Sequence, residues 1–167
     1  RRVLFRSRVA DWMVLLACVV SAGNAFVRYG VSYSSNAWLE VQWYFFAGIV
    51  MLGASYTLFR NEHVRVDLVY GNLGERARIW VDVLGIILFL LPATALLTWM
   101  TWPFFVDSFV RDEGSPNAGG LLRWPIKFVI PSGFVMLALQ GVSEVIKRIA
   151  ALQGYVTIDA KYERPTQ

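Results

Sequence analysis

His63 and Asp67 stand four residues apart in the segment RNEHVRVDLVYGNLGERAR, a spacing that stacks two side chains on one face of a helix and suits a metal pair or an acid–base pair. Two groups on an arginine-rich strip make a poor site, and a salt-bridged surface is the simpler reading. Glu40, Asp82, Asp107 and Gln140 are the other candidates, because they lie within or at the ends of long apolar stretches. Polar groups inside a bilayer are costly enough to be examined first for function. Glu40 and Asp107 are expected near one membrane interface and Asp82 near the other, where water and headgroups relieve that cost. Gln140 is expected deep, but an amide does not relay protons as a carboxylate does. The four are read as anchors or contacts rather than an ion path.

Other chemistry is excluded by counting. The single cysteine, Cys18, permits no intrachain disulfide and no thiolate cluster for zinc or iron–sulfur, and the single histidine cannot supply two axial ligands to a haem. No phosphate-binding glycine pattern and no serine nucleophile elbow occurs. No cofactor is expected, and no enzymatic activity.

The elements that hold these residues are set by the solvent the composition demands. Apolar side chains make up 56% of 167 residues and charged ones 17%, against roughly a quarter charged in soluble domains. The net charge of +4 raises the question of nucleic acid, but basic residues bunched between apolar stretches mark the cytoplasmic side of a membrane. The sequence predicts an all-α membrane protein with four transmembrane helices over residues 10–31, 37–59, 79–106 and 124–149, followed by a tail over 150–167. These form one domain. Pro92 predicts a kink in the third span. Val66, Val69, Tyr70 and Leu73 predict a short helix lying in the headgroup layer between spans two and three, which Gly71 and Gly74 weaken.

Orientation follows from the basic residues. Arg1, Arg2, Arg6 and Arg8 precede span one; Arg60, Arg65, Arg76 and Arg78 lie between spans two and three; Lys147, Arg148, Lys161 and Arg164 close the chain. Only Arg28, Arg111, Arg123 and Lys127 occupy the other two connections, so both termini and the middle loop are expected in the cytoplasm. Ser21-Ala22-Gly23 after a basic flank also sketches a cleaved signal peptide. Cleavage would strand the basic middle loop and the basic C-terminus on opposite sides, and the charge count therefore prefers four spans.

Small residues at Ala17, Ser21 and Ala25 recur every fourth position, which allows close approach of another helix, either within the chain or from a partner. Gly53 and Thr57 make a weaker pair. As a docking surface the strip competes with the aromatic outer half of span two at Trp43 and Tyr44. The outer loop DEGSPNAGGLLRWP carries turn chemistry.

Several of these segments together resemble one family. They are Arg28-Tyr29, Trp38 and Glu40, Leu52-Gly53-Ala54, and His63-Val64-Arg65-Val66-Asp67. The densest part is Glu113-Gly114-Ser115, Asn117-Ala118-Gly119-Gly120-Leu121, Arg123-Trp124-Pro125-Ile126-Lys127, Ile130-Pro131, Gly133-Phe134 and Leu139-Gln140-Gly141. In this order they resemble the DctQ-like small membrane subunit of tripartite ATP-independent periplasmic (TRAP) transporters. The resemblance implies a non-catalytic brace in a bacterial inner membrane, beside a large subunit that moves a small organic acid with sodium ions. A periplasmic binding protein would deliver the solute. Sodium is then expected in the large subunit, the partners being that subunit, the binding protein and membrane lipid. An accessory scaffold of another membrane complex is the alternative. A free-standing channel would need an intramembrane polar track that Gln140 alone does not make.

Overall fold

The computed structural model describes residues 2–30, 32, 35–60 and 73–155, with side chains from residue 11 onward. His63, Asp67 and the greater part of the interfacial helix expected between spans two and three lie outside the described residues, as does the tail beyond 155. The helices are α1 (Arg2–Gly30), α2 (Asn36–Arg60), α3 (Glu75–Gly85), a π-helical turn (Ile86–Leu90), α4 (Leu91–Val110) and α5 (Trp124–Leu152). α3, the π turn and α4 run on as one span, so among the described residues four helical segments are long and apolar enough to cross a bilayer. The third, Glu75–Val110, is longer than the 79–106 expected.

The third span is interrupted beside Pro92, where the sequence predicts a kink. The interruption lies just before it, where the N–H of Leu91 donates to the Ile86 carbonyl five residues back instead of four. Positions 79, 83, 86, 90, 94, 98, 101, 105 and 108 turn away from the surroundings and follow the ordinary helical repeat of about 3.6 residues. The π turn falls just before Pro92, in a stretch where proline has already removed one backbone donor. Thr94 Oγ1 donates to the Leu90 and Leu91 carbonyls at 2.8 and 3.0 Å, Thr98 Oγ1 to Thr94 at 2.7 Å and Thr101 Oγ1 to Leu97 at 2.7 Å, so the threonine hydroxyls of the span are satisfied locally, whereas the buried Ser108 hydroxyl has no hydrogen-bond partner among the described residues.

The helices form an open layer. α1 packs on α2, α2 on α5, and α5 on the whole third span. Besides the aliphatic Leu58, Ile79, Val83 and Ile86, what lies between them is small or polar: Gly48, Ser55, Pro131, Gly133, Gly141, Gln140, Glu144 and Arg148 are buried, while Phe46, Phe89, Trp99 and Met100 face outward. This inversion is what hydrocarbon solvent favours, since close approach rather than water exclusion drives helix association there. A Cβ on Gly133 would lie 2.6 Å from the Met51 Cβ and 3.3 Å from its Cα, which fixes how closely α2 and α5 meet. A Cβ on Gly141 would lie 2.7 Å from Leu90 Cδ2, on the π turn. On α1 the half-buried positions are Met13, Ala17, Val20 and Asn24, whereas Ser21 and Ala25 are exposed. Reading the small-residue strip as internal packing therefore holds for Ala17 alone, because a strict four-residue step drifts around a helix of 3.6 residues per turn and leaves the contact face.

Candidate functional site

Two polar clusters, one at each end of the layer, bring together the residues with chemical potential. The outer one is built on α2. Asn36, Glu40 and Tyr44 recur every fourth residue, one face of a helix over about 12 Å, and each grips the loop between α4 and α5. Asn36 Nδ2 donates to the Ala118 carbonyl at 3.0 Å, and the Tyr44 hydroxyl donates to the Leu122 carbonyl. Glu40 is only 4% exposed. Its Oε1 accepts from the Ser115 hydroxyl and from Asn117 Nδ2 at 3.0 Å, and its Oε2 accepts from the Leu121 N–H at 2.7 Å.

The loop is shaped to present those donors. Ser115 N–H donates to Leu121 O at 3.0 Å and Arg123 N–H to Glu113 O at 2.8 Å, closing a short antiparallel bridge between Gly114 and Leu122. Gly119 turns the tip at φ +70°, a conformation that suits glycine. At Gly120 a Cβ would come 2.4 Å from Ser115 Cβ and 2.9 Å from Glu40 Oε1, so no larger residue leaves the carboxylate within reach of the backbone. Arg123, just before α5, adds a positive charge that acts on Glu40. Trp124 opens α5 and packs edge-on against Phe109, with ring centroids 5.4 Å apart. Lys127 pairs with Glu113 and sits 4.0 Å from the Phe104 ring centroid. The Lys127 ammonium, hydrogen-bonded to Glu113, holds that carboxyl below the usual carboxylate range. Asp107 pairs with Arg111 at 2.7 Å on the exposed end of α4.

The inner cluster is built on α5. Gln140, Glu144 and Arg148 again recur every fourth residue, and all three are buried. Gln140 Nε2 donates to Glu144 Oε1 at 3.0 Å, Lys147 Nζ donates to the same oxygen at 2.7 Å, and Arg148 Nη1 donates to Glu144 Oε2 at 2.5 Å. Arg148 Nε reaches across to Asp82 Oδ2 on α3 at 3.3 Å. Lys147 also lies 4.9 Å from the Phe59 ring of α2, so three helices meet at this end.

The sequence placed Glu40, Asp82 and Gln140 among the candidates but put Glu40 where water would relieve it. The folded loop excludes that water and supplies donors instead. Glu144, within span four, was not singled out, and the inward role of Arg148 was missed because it was counted with the basic C-terminal flank. The Gln-x3-Glu-x3-Arg spacing was the available sign. Trp43 is 63% exposed and contributes to neither cluster. Among the described residues no group of three or more His, Cys, Asp or Glu could hold a metal ion.

Each carboxylate of the two clusters is tied to donors on another element or another turn, and among the described residues no hydrogen bond joins the two clusters. The arrangement can fasten helices and a loop, and with its long apolar helices it defines a multi-pass membrane protein. Residues 8–151 match the family described as tripartite ATP-independent periplasmic transporters, DctQ component. The chain belongs to that family and is a small membrane subunit of a TRAP transporter, a transporter component and not a member of an enzyme family. A comparison with curated proteins finds no match.

Proposed function

We propose that this chain is the stationary brace of a sodium-coupled importer in a bacterial inner membrane. It holds a large transport subunit while a periplasmic binding protein delivers a small organic acid. The observation that carries this reading is the use of polar groups. Buried Glu40 is consumed in fastening loop to helix, Arg148 in fastening helix to helix, and Gln140 and Glu144 in holding Arg148, while wide apolar faces remain outward for lipid and a partner. A moving or conducting part would need polar groups along its path.

The proposed orientation puts both termini and the 60–78 loop in the cytoplasm, as the basic flanks require. A cysteine at Asn72 in a Cys18→Ser background is then labelled from the cytoplasmic side only. Rapid labelling from the periplasmic side would overturn the orientation. The functional test is reconstitution. Vesicles with both membrane subunits and the binding protein take up the acid under an inward sodium gradient, and vesicles lacking this chain do not. Uptake by the large subunit alone at the full rate would overturn the bracing role.

A further inference from the structure

The cleft between α1 and α2 at their outer ends is not used by either polar cluster. It encloses about 320 Å³ between Val19, Val20, Gly23 and Val27 of α1 and Trp38 of α2, with Asn24 and Ser35 as its polar members. A Cβ on Gly23 would meet nothing within 4 Å, so the wall is open and apolar there. Space of this kind inside a bilayer admits one hydrocarbon chain, whereas a helix with its side chains is about 10 Å across.

Charge selects the occupant further. Four basic residues flank the outer ends of the helices. Arg111 is neutralised by Asp107, Lys127 by Glu113, and Arg123 lies in the field of Glu40. Arg28 has no carboxylate partner among the described residues, and the Asn24 amide, one turn before it on the same side of α1, has no hydrogen-bond partner among them either. A guanidinium and an amide, both donors and both at headgroup depth, complement a group that only accepts hydrogen bonds and carries negative charge. A phosphodiester at the head of a hydrocarbon chain meets both requirements at once.

We propose that the α1–α2 cleft binds one phospholipid, its phosphodiester on Arg28 and Asn24 and an acyl chain along Gly23. The lipid then fills the gap beside the contact by which α1 is held to the rest of the layer. The site depends on the packing of α1 on α2 and not on the transport role proposed above.

The probe is phosphatidylglycerol, added to the detergent-purified complex of small and large subunits, with retained lipid counted by native mass spectrometry after detergent exchange. Wild type should keep one phosphatidylglycerol per small subunit. Arg28→Gln removes the charge and should reduce retention about tenfold, as loss of a charged hydrogen bond does, and Gly23→Leu, which fills the cleft, should also reduce it. Arg111→Gln should leave retention unchanged. Equal retention by wild type, Gly23→Leu and Arg28→Gln overturns the proposal, as does an equal loss in Arg111→Gln. If Gly23→Leu fails to assemble, Arg28→Gln at the exposed helix end decides alone. A disulfide between a cysteine at Gly23 and the large subunit, in a Cys18→Ser background and without bound lipid, would give the cleft to a partner helix and overturn it too.

Discussion

Glu40 is held by donors from three residues of one loop, and that concentration makes it the residue whose loss is felt furthest away. Glu40→Ala leaves the Leu121 N–H, the Asn117 amide and the Ser115 hydroxyl facing an empty pocket. Hydrogen bonds to a charged group contribute about 1.5–3 kcal/mol each, less where water can replace them. The expected outcome is a purified subunit with a lowered melting temperature and a loop over 111–123 that proteases cut, with the helical circular dichroism retained. An uncut loop would show that the β-bridge suffices to hold it. Glu113 gives the same loop a pH dependence. Its carboxyl sits below the ordinary value of 4.5 in the folded protein because Lys127 donates to it. A depressed folded pKa stabilises above the unfolded value and is lost as pH falls through the folded one. Protection of the loop amides, taken relative to their intrinsic exchange rate at each pH, should therefore be flat from neutral pH down to about the ordinary carboxylate range and fall below it. Lys127→Met should raise exchange at neutral pH and flatten that dependence.

At the scale of elements, α5 is the centre of the layer, touching α2 on one side and the whole third span on the other. Arg148 ties its inner end to α3, and Gly133 and Gly141 let α2 and the π turn come close. Arg148 is 6% exposed and bonded to both Glu144 and Asp82. Arg148→Ala removes the link to α3 and leaves Asp82 and Glu144 with less compensation, and breaking a buried pair from one side costs about 3–5 kcal/mol. Denaturant titration of the detergent-solubilised subunit should show that loss, and Arg148→Lys should restore part of it. A stability equal to wild type would mean that water reaches Asp82 and Glu144 and replaces the guanidinium. The π turn has a different status from the ion pairs. It lies just before Pro92, where a backbone donor is already missing, and its hydrogen bonding joins no second element.

At the scale of the whole molecule, the open layer leaves α1 as an outer helix held mainly by α2, and much of its surface is available to a partner. Ser21 and Ala25 lie on that exposed surface. Leucine at either position has room in the isolated subunit, so its melting temperature should stay within the range of ordinary surface substitutions, about 0.5 kcal/mol. If the large subunit docks there, the added bulk costs about 1–3 kcal/mol of the contact, and recovery of the complex on co-purification falls. Unchanged recovery would move the docking surface to the aromatic face of α2 around Trp43 or to the outward face of α4.

The number of spans, their apolar composition and the turn chemistry of the outer loop were legible in the sequence because they depend on local properties: how many consecutive apolar residues occur, and where glycine, proline and asparagine fall. The family was legible for the same reason, as ordered short segments. Which face of each helix turns inward was not. In water, burial follows hydropathy and can be read from its periodicity. In a bilayer both faces are apolar, and the inward side is chosen by small residues and by partners from other helices. Asn36, Glu40 and Tyr44 stand on α2, and Gln140, Glu144 and Arg148 on α5, at spacings any reader can see. That the first three would close on a loop some eighty residues away, and that Arg148 would find Asp82 on another span, was decided by the tertiary structure, because a hydrogen bond is fixed by where two chains meet and not by either chain alone.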